Sequence, residues 1–119
     1  MPGTPTPIRL YQGQPGAAEA TIYTAPNNTA VNLAPGATVI VKTMVICNPT
    51  AAAVTLTLYL VPKGGAAAAA NALYSALSVA ANSTVVQDLE QYMLEGDFLA
   101  ALASAAASLT VTISGVTIQ

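Results

Sequence analysis

Histidine and tryptophan are absent from this sequence, cysteine occurs once, and charged residues make up 7% of it. General acid–base catalysis, metal capture and nucleophilic activation draw on His, Cys and paired carboxylates, so the inventory argues against an enzyme and against a bound metal or cofactor. Contact is what remains. With Arg9, Lys42 and Lys63 as the three cations, there is no basic patch to neutralise phosphates, and nucleic acid is excluded as a partner.

Long apolar runs are also missing. The stretches 66–81 and 98–107 are interrupted by Asn71, Ser75, Ser78 and Ser104 and are poor in Leu and Ile, so neither reads as a membrane span. The first seven residues, Met-Pro-Gly-Thr-Pro-Thr-Pro, carry no basic region followed by an apolar one, and no secretory signal is expected. A lone Cys47 makes no disulfide framework; it reads as a small buried hydrophobe in a protein made in a reducing cytoplasm.

The 119 residues suffice for one domain. Hydrophobic content is 54% with a net charge of −2, whereas an ordinary soluble domain carries ~25% charged residues. The exterior is then built from Thr, Ser, Ala, Asn and Gln, which suits a chain housed in a larger assembly.

Residues 1–18 stand apart. Pro2, Pro5, Pro7 and Pro15 each fix φ and remove a backbone donor, which favours an extended arm in which only 8–12 can pair as a strand, ahead of a domain over 19–119. Two readings fit the arm, a frayed terminus or a segment laid along a neighbouring subunit.

Strands follow. Residues 37–48 place Val39, Val41, Thr43, Val45 and Cys47 on one face and Ile40, Lys42, Met44 and Ile46 on the other, and two apolar faces mark a central strand or one covered by a partner. Residues 54–61 alternate more cleanly, with Val54, Leu56, Leu58 and Leu60 opposite Thr55, Thr57 and Tyr59. Asn48-Pro49 makes the turn between them. A third strand covers 109–118, with Gly115 expected to shift its phase through a bulge so that Val116 and Ile118 take over the apolar set. Shorter strands are expected over 21–24 and 85–89. The octets 33–40 and 79–86 echo one another, with Gly36 opposite Asn82 at a tight turn.

Two regions resist this reading. Ala, Leu, Glu, Gln and Met over 89–107 favour a helix broken at Gly96, which would make the chain α+β. Against that, Glu95-Gly96-Asp97 is a turn signal, and Phe98, Ala100 and Leu102 alternate with Ala101 and Ala103. For 66–70, an Ala-rich loop or one helical turn is expected.

Taken together, the runs Thr21-Ile22-Tyr23-Thr24-Ala25-Pro26, Leu33 to Lys42, Ile46-Cys47-Asn48, Tyr59 to Gly65, Ser78 to Thr84, Leu94-Glu95-Gly96-Asp97 and Val111 to Gly115 resemble small structural proteins of tailed bacteriophages. The resemblance spans about residues 20–118. It implies an all-β chain, an antiparallel, jelly-roll-like β-sandwich of about eight short strands, with 73–79 and 98–104 as strands against their propensity. It further implies a virion protein that decorates or reinforces the particle exterior as a capsid-decoration or head-fibre subunit, or serves as a neck or tail accessory. The partners would be further copies of itself, a trimer being favoured, together with the phage major capsid or other virion proteins, without nucleic acid or membrane. The Ala-rich 64–70 loop and the Pro-rich arm depart from that pattern.

Candidate subunit contacts are Ile8, Tyr11, Met44, Ile46 and Tyr59, apolar groups on the arm or on strand faces not assigned to the core. A sugar-binding module is the alternative of a different class, since Tyr11, Tyr23, Tyr59, Tyr74 and Tyr92 can stack on glycans. An enzymatic reading would rest on Asp88, Glu90, Glu95 and Asp97, which read more simply as solvated acids flanking a turn. The sequons at Asn27 and Asn82 likewise read as turns.

Overall fold

The two stretches with the cleanest alternation seed two different sheets. In the computed structural model, which describes residues 5–25, 38–94 and 96–118, β3 (Thr38–Asn48) lies inside one four-stranded sheet and β4 (Val54–Val61) inside the other. Around them stand β1 (Pro5–Gly13), β2 (Ala20–Thr24), β5 (Ala72–Val79), β6 (Ser83–Met93), β7 (Phe98–Ala103) and β8 (Thr110–Ile118). A single 3₁₀ turn, Ala69–Asn71, is the one helical element among the described residues.

The strand orders are β1-β8-β3-β6 in the first sheet and β2-β7-β4-β5 in the second, with every pair antiparallel. The chain crosses between sheets at each connection except β4 to β5, and the first strand lies beside the last. This is an eight-stranded jelly roll, a β-sandwich whose inner faces share one core. Val39, Val41, Met44, Ile46, Val111 and Ile113 from the first sheet meet Leu56, Leu58, Leu99, Ala101 and Ala103 from the second.

One row of irregularities crosses the first sheet. Leu10 is an extra residue of β1 against β8, Lys42 is an extra residue of β3 against β8, and Leu89 and Glu90 of β6 together oppose Lys42. All lie near the level of Gly115. Contrary to expectation, β8 keeps its phase: Ile113, Gly115 and Thr117 all face inward, while Val116 and Ile118 are half-buried on the outer face. The phase shift sits instead in the neighbours. A Cβ on Gly115 would collide with the Ile40 carbonyl oxygen, so glycine is required where the bulged β3 backbone presses on β8.

The same bulge corrects the faces of β3. Val39 and Val41 point inward before it, Lys42 and Thr43 both turn out, and Met44, Ile46 and Asn48 point inward after it. Met44 and Ile46, read as surface contacts, are therefore fully buried core groups.

Tertiary pairing overrides the helix propensity of 89–107. β6 runs on through Met93, a turn at Leu94–Asp97 closes with Gly96 at φ 87°, and β7 follows. The strands that the resemblance implied over 73–79 and 98–104 form as β5 and β7, in the latter because Ala101 and Ala103 lie directly opposite Leu58 and Leu56 and let those leucines fill the core. The Pro-rich start also pairs within its own chain: β1 hydrogen-bonds along β8 from Pro5 to Gly13, and Leu10 and Pro15 are buried. Asn82 makes a turn at φ 54° as expected, whereas its proposed counterpart Gly36 and the Asn27 sequon lie outside the described residues.

Candidate contact surfaces

Because strands pair directly, the registers fix which side chains share a row. On the outer face of the first sheet the rows are Val86–Val45–Thr112–Gln12, Asp88–Thr43–Ser114–Arg9 and Tyr92–Ile40–Val116–Pro7. Ile40, Val45 and Cys47 are half-buried in the middle of this face, so both faces of β3 are largely apolar, as a central strand allows. Between the rows the bulge presents Lys42, whose Nζ donates to Glu90 Oε1 at 2.7 Å. That hydrogen bond and the attached charge push the Lys42 ammonium up from its usual value and hold the Glu90 carboxyl below its own.

The outer face of the second sheet is different in chemistry. Its rows are Thr57–Leu102, Tyr59–Ala100–Thr21 and Val61–Phe98–Thr24, without a formal charge among them. Tyr59 is half-buried here beside Ala100 and Val61, which have no exposure and yet stand outside the central core cluster.

The sequence-derived contact set is thus dispersed. Ile8 is on β1 at 37% exposure, and Tyr11, opposite Ile113, packs partly against the core. Tyr59 lies on the second sheet's outer face; Met44 and Ile46 are in the interior. Outside the expected contact set, Val86 and Tyr92 on β6 and Leu94 after it are exposed at 62%, 68% and 59%, and with Ile8 they are the exposed large hydrophobics among the described residues; the strand expected over 85–89 runs on at both ends. The signal was present in the alternation of Val85, Leu89 and Met93 against Val86 and Tyr92, which continues past Leu89.

The acidic residues do separate jobs. Asp88 and Glu90 are exposed on β6. Asp97 is occupied by its turn, its Oδ1 accepting from the Lys63 N–H at 3.0 Å and its Oδ2 from the Leu94 N–H at 2.9 Å. Glu95 lies outside the described residues. No three His, Cys, Asp or Glu side chains converge, and no cavity opens, among the described residues. The five tyrosines do not share one face: Tyr23 and Tyr74 oppose Leu99 and Leu58 on the inner side, and burial raises the phenol of each, as it does for Tyr11.

No family model matches the chain, and no curated protein matches it. Among solved structures, the chain is similar over 97% of its length to a chain of infectious bursal disease virus, Gx strain, with TM-score 0.57 and 15% identity. It spans 32% of that viral chain. It is similar over 98% of its length to a protein from Bacillus endospore appendages, described as a family of disulfide-linked pili, with TM-score 0.56 and 15% identity, and it covers 89% of that chain. At these identities the likeness is one of fold.

Proposed function

We propose that this chain is a structural subunit of a tailed-phage virion, one that decorates or reinforces the particle exterior by contact rather than catalysis. The observation that carries the reading is the chemistry of its two outer sheet faces: rows of Thr, Ser, Ala, Val and Tyr, interrupted on the first sheet by Arg9, Asp88 and the Lys42–Glu90 pair and on the second by no charge. Such faces cost little to dehydrate, and at about 25 cal/mol per Å² of apolar area a few hundred Å² per contact, repeated by symmetry, stabilises a shell. Support comes from the fold neighbours, one from a virus and one from a surface appendage.

Its partners are further copies, the trimer being favoured, and the major capsid or other virion proteins. Quantitative mass spectrometry of purified particles tests this: the chain should be present at a fixed multiple of the symmetry order. Its absence from particles that are otherwise complete would refute the assignment.

A further inference from the structure

The exposed large hydrophobics are not scattered. Ile8 is on β1, Val86 and Tyr92 are on β6, and Leu94 follows β6 directly, so all four belong to the two edge strands of one sheet among the described residues. Charge is divided between the same edges. Arg9 is on β1, Asp88 and Glu90 are on β6, and Arg9 and Asp88 end the same cross-strand row at opposite sides of the sheet.

We infer that copies of this chain meet head to tail along these edges, the β1 edge of one copy against the β6 edge of the next; this rests on the structural-subunit reading. Strand direction permits it, since β1, β8, β3 and β6 alternate, and a neighbouring β1 placed beside β6 continues the antiparallel order. Continuing the rows brings Arg9 beside Asp88, Pro7 beside Tyr92 and Gln12 beside Val86. The same charges work against the symmetric alternatives, because β1 against β1 sets Arg9 near Arg9 and β6 against β6 sets Asp88 near Asp88. A heterologous contact of this kind closes into a ring or grows as a filament.

Backbone pairing across the contact is restricted. Pro5 and Pro7 supply no N–H, Leu10 bulges, and Glu90 sits at φ 49° in the β6 bulge. Regular pairing fits only 11–13 against 85–87, and the remaining contact is between side chains. Edges managed in this way resist indiscriminate strand addition while leaving one register open.

Disulfide trapping tests the contact. In a Cys47→Ala background, Arg9→Cys with Asp88→Cys, oxidised by diamide, should give a ladder of dimers, trimers and larger species on a non-reducing denaturing gel, while each single variant stays monomeric. Gln12→Cys with Val86→Cys gives a second pair in the same register, and far-UV circular dichroism checks the sheet content of each. Monomers alone from both folded pairs, dimers alone, or cross-linking of either single variant would overturn the inference. Charge reversal adds an independent reading: Arg9→Asp or Asp88→Arg alone should weaken self-association about tenfold, and the double variant Arg9→Asp with Asp88→Arg in one chain should restore it. Absence from particles with intact cross-linking would defeat the functional reading alone; particle binding without cross-linking would defeat this contact alone.

Discussion

Asn48 is fully buried at the end of β3, and every polar atom of its side chain has work to do. Its Nδ2 donates to the Ala52 and Val79 carbonyls at 2.8 and 3.0 Å, and its Oδ1 accepts from the Thr50 N–H and hydroxyl at 3.0 and 2.7 Å. The residue thereby ties the β3–β4 turn to the end of β5. Asn48→Ala removes these bonds and takes the amide donor from the buried Val79 carbonyl, a loss of about 3 kcal/mol in urea denaturation; a loss below about 0.5 kcal/mol would show that water replaces the amide. Gly115→Ala is expected to destabilise by about 2 kcal/mol or more, since the β3 backbone must move to admit the methyl group. The Asn-Pro turn was legible at this scale. The amide's reach to Val79 was not, because its partner lies 31 residues further along the chain.

At the scale of elements, period-two alternation sufficed for β3, β4 and β8, whose branched and apolar residues fit no other backbone. It failed where alanine stands on both faces. In β7 the alanines act as spacers, with Ala103 opposite Leu56 and Ala101 opposite Leu58, and their high helix propensity says nothing of that role. Leu58→Ala should therefore cost about 3 kcal/mol through the cavity it opens, and Ala101→Leu about 1–3 kcal/mol through overpacking. Equal tolerance of both substitutions in thermal melts would contradict this packing. The faces of β3 were misassigned because a bulge moves Met44 and Ile46 inward, and the consecutive polar pair Lys42-Thr43 was its one trace in the sequence. Of the residues at the proposed edge contact, Ile8 stands out in the sequence as an apolar group without an assigned core role, whereas Tyr59 falls on the other sheet. The pairing of Arg9 with Asp88 and the grouping of Val86 with Tyr92 were not visible, because their shared rows arise only when β8 and β3 set the registers.

For the whole molecule, the absence of histidine removes the side chain that ordinarily titrates between about pH 5 and 8, and stability should be nearly flat there. The pairing of Lys42 with Glu90 favours the ionised carboxylate in the folded state, so its contribution is complete at neutral pH and fades in acid as Glu90 takes up a proton below its ordinary range. At the alkaline end, burial raises Tyr11, Tyr23 and Tyr74. The neutral phenols then favour the fold below the ordinary tyrosine value, and that advantage is lost as pH climbs through their raised folded values. An absorbance titration at the tyrosinate band should extend to higher pH in the native protein than in denaturant, and coincident native and denatured curves would show these rings to be solvated.

The exterior is the larger consequence of so few ionisable groups. On the proposed reading, a surface made of threonine and alanine rows, with exposed apolar side chains at the two edge strands of the first sheet, is one that neighbouring copies cover. Sedimentation equilibrium of the purified chain over a wide concentration range tests that directly: self-association to a trimer or larger species is expected as concentration rises, and a monomer that persists to the highest concentration in free solution would contradict it.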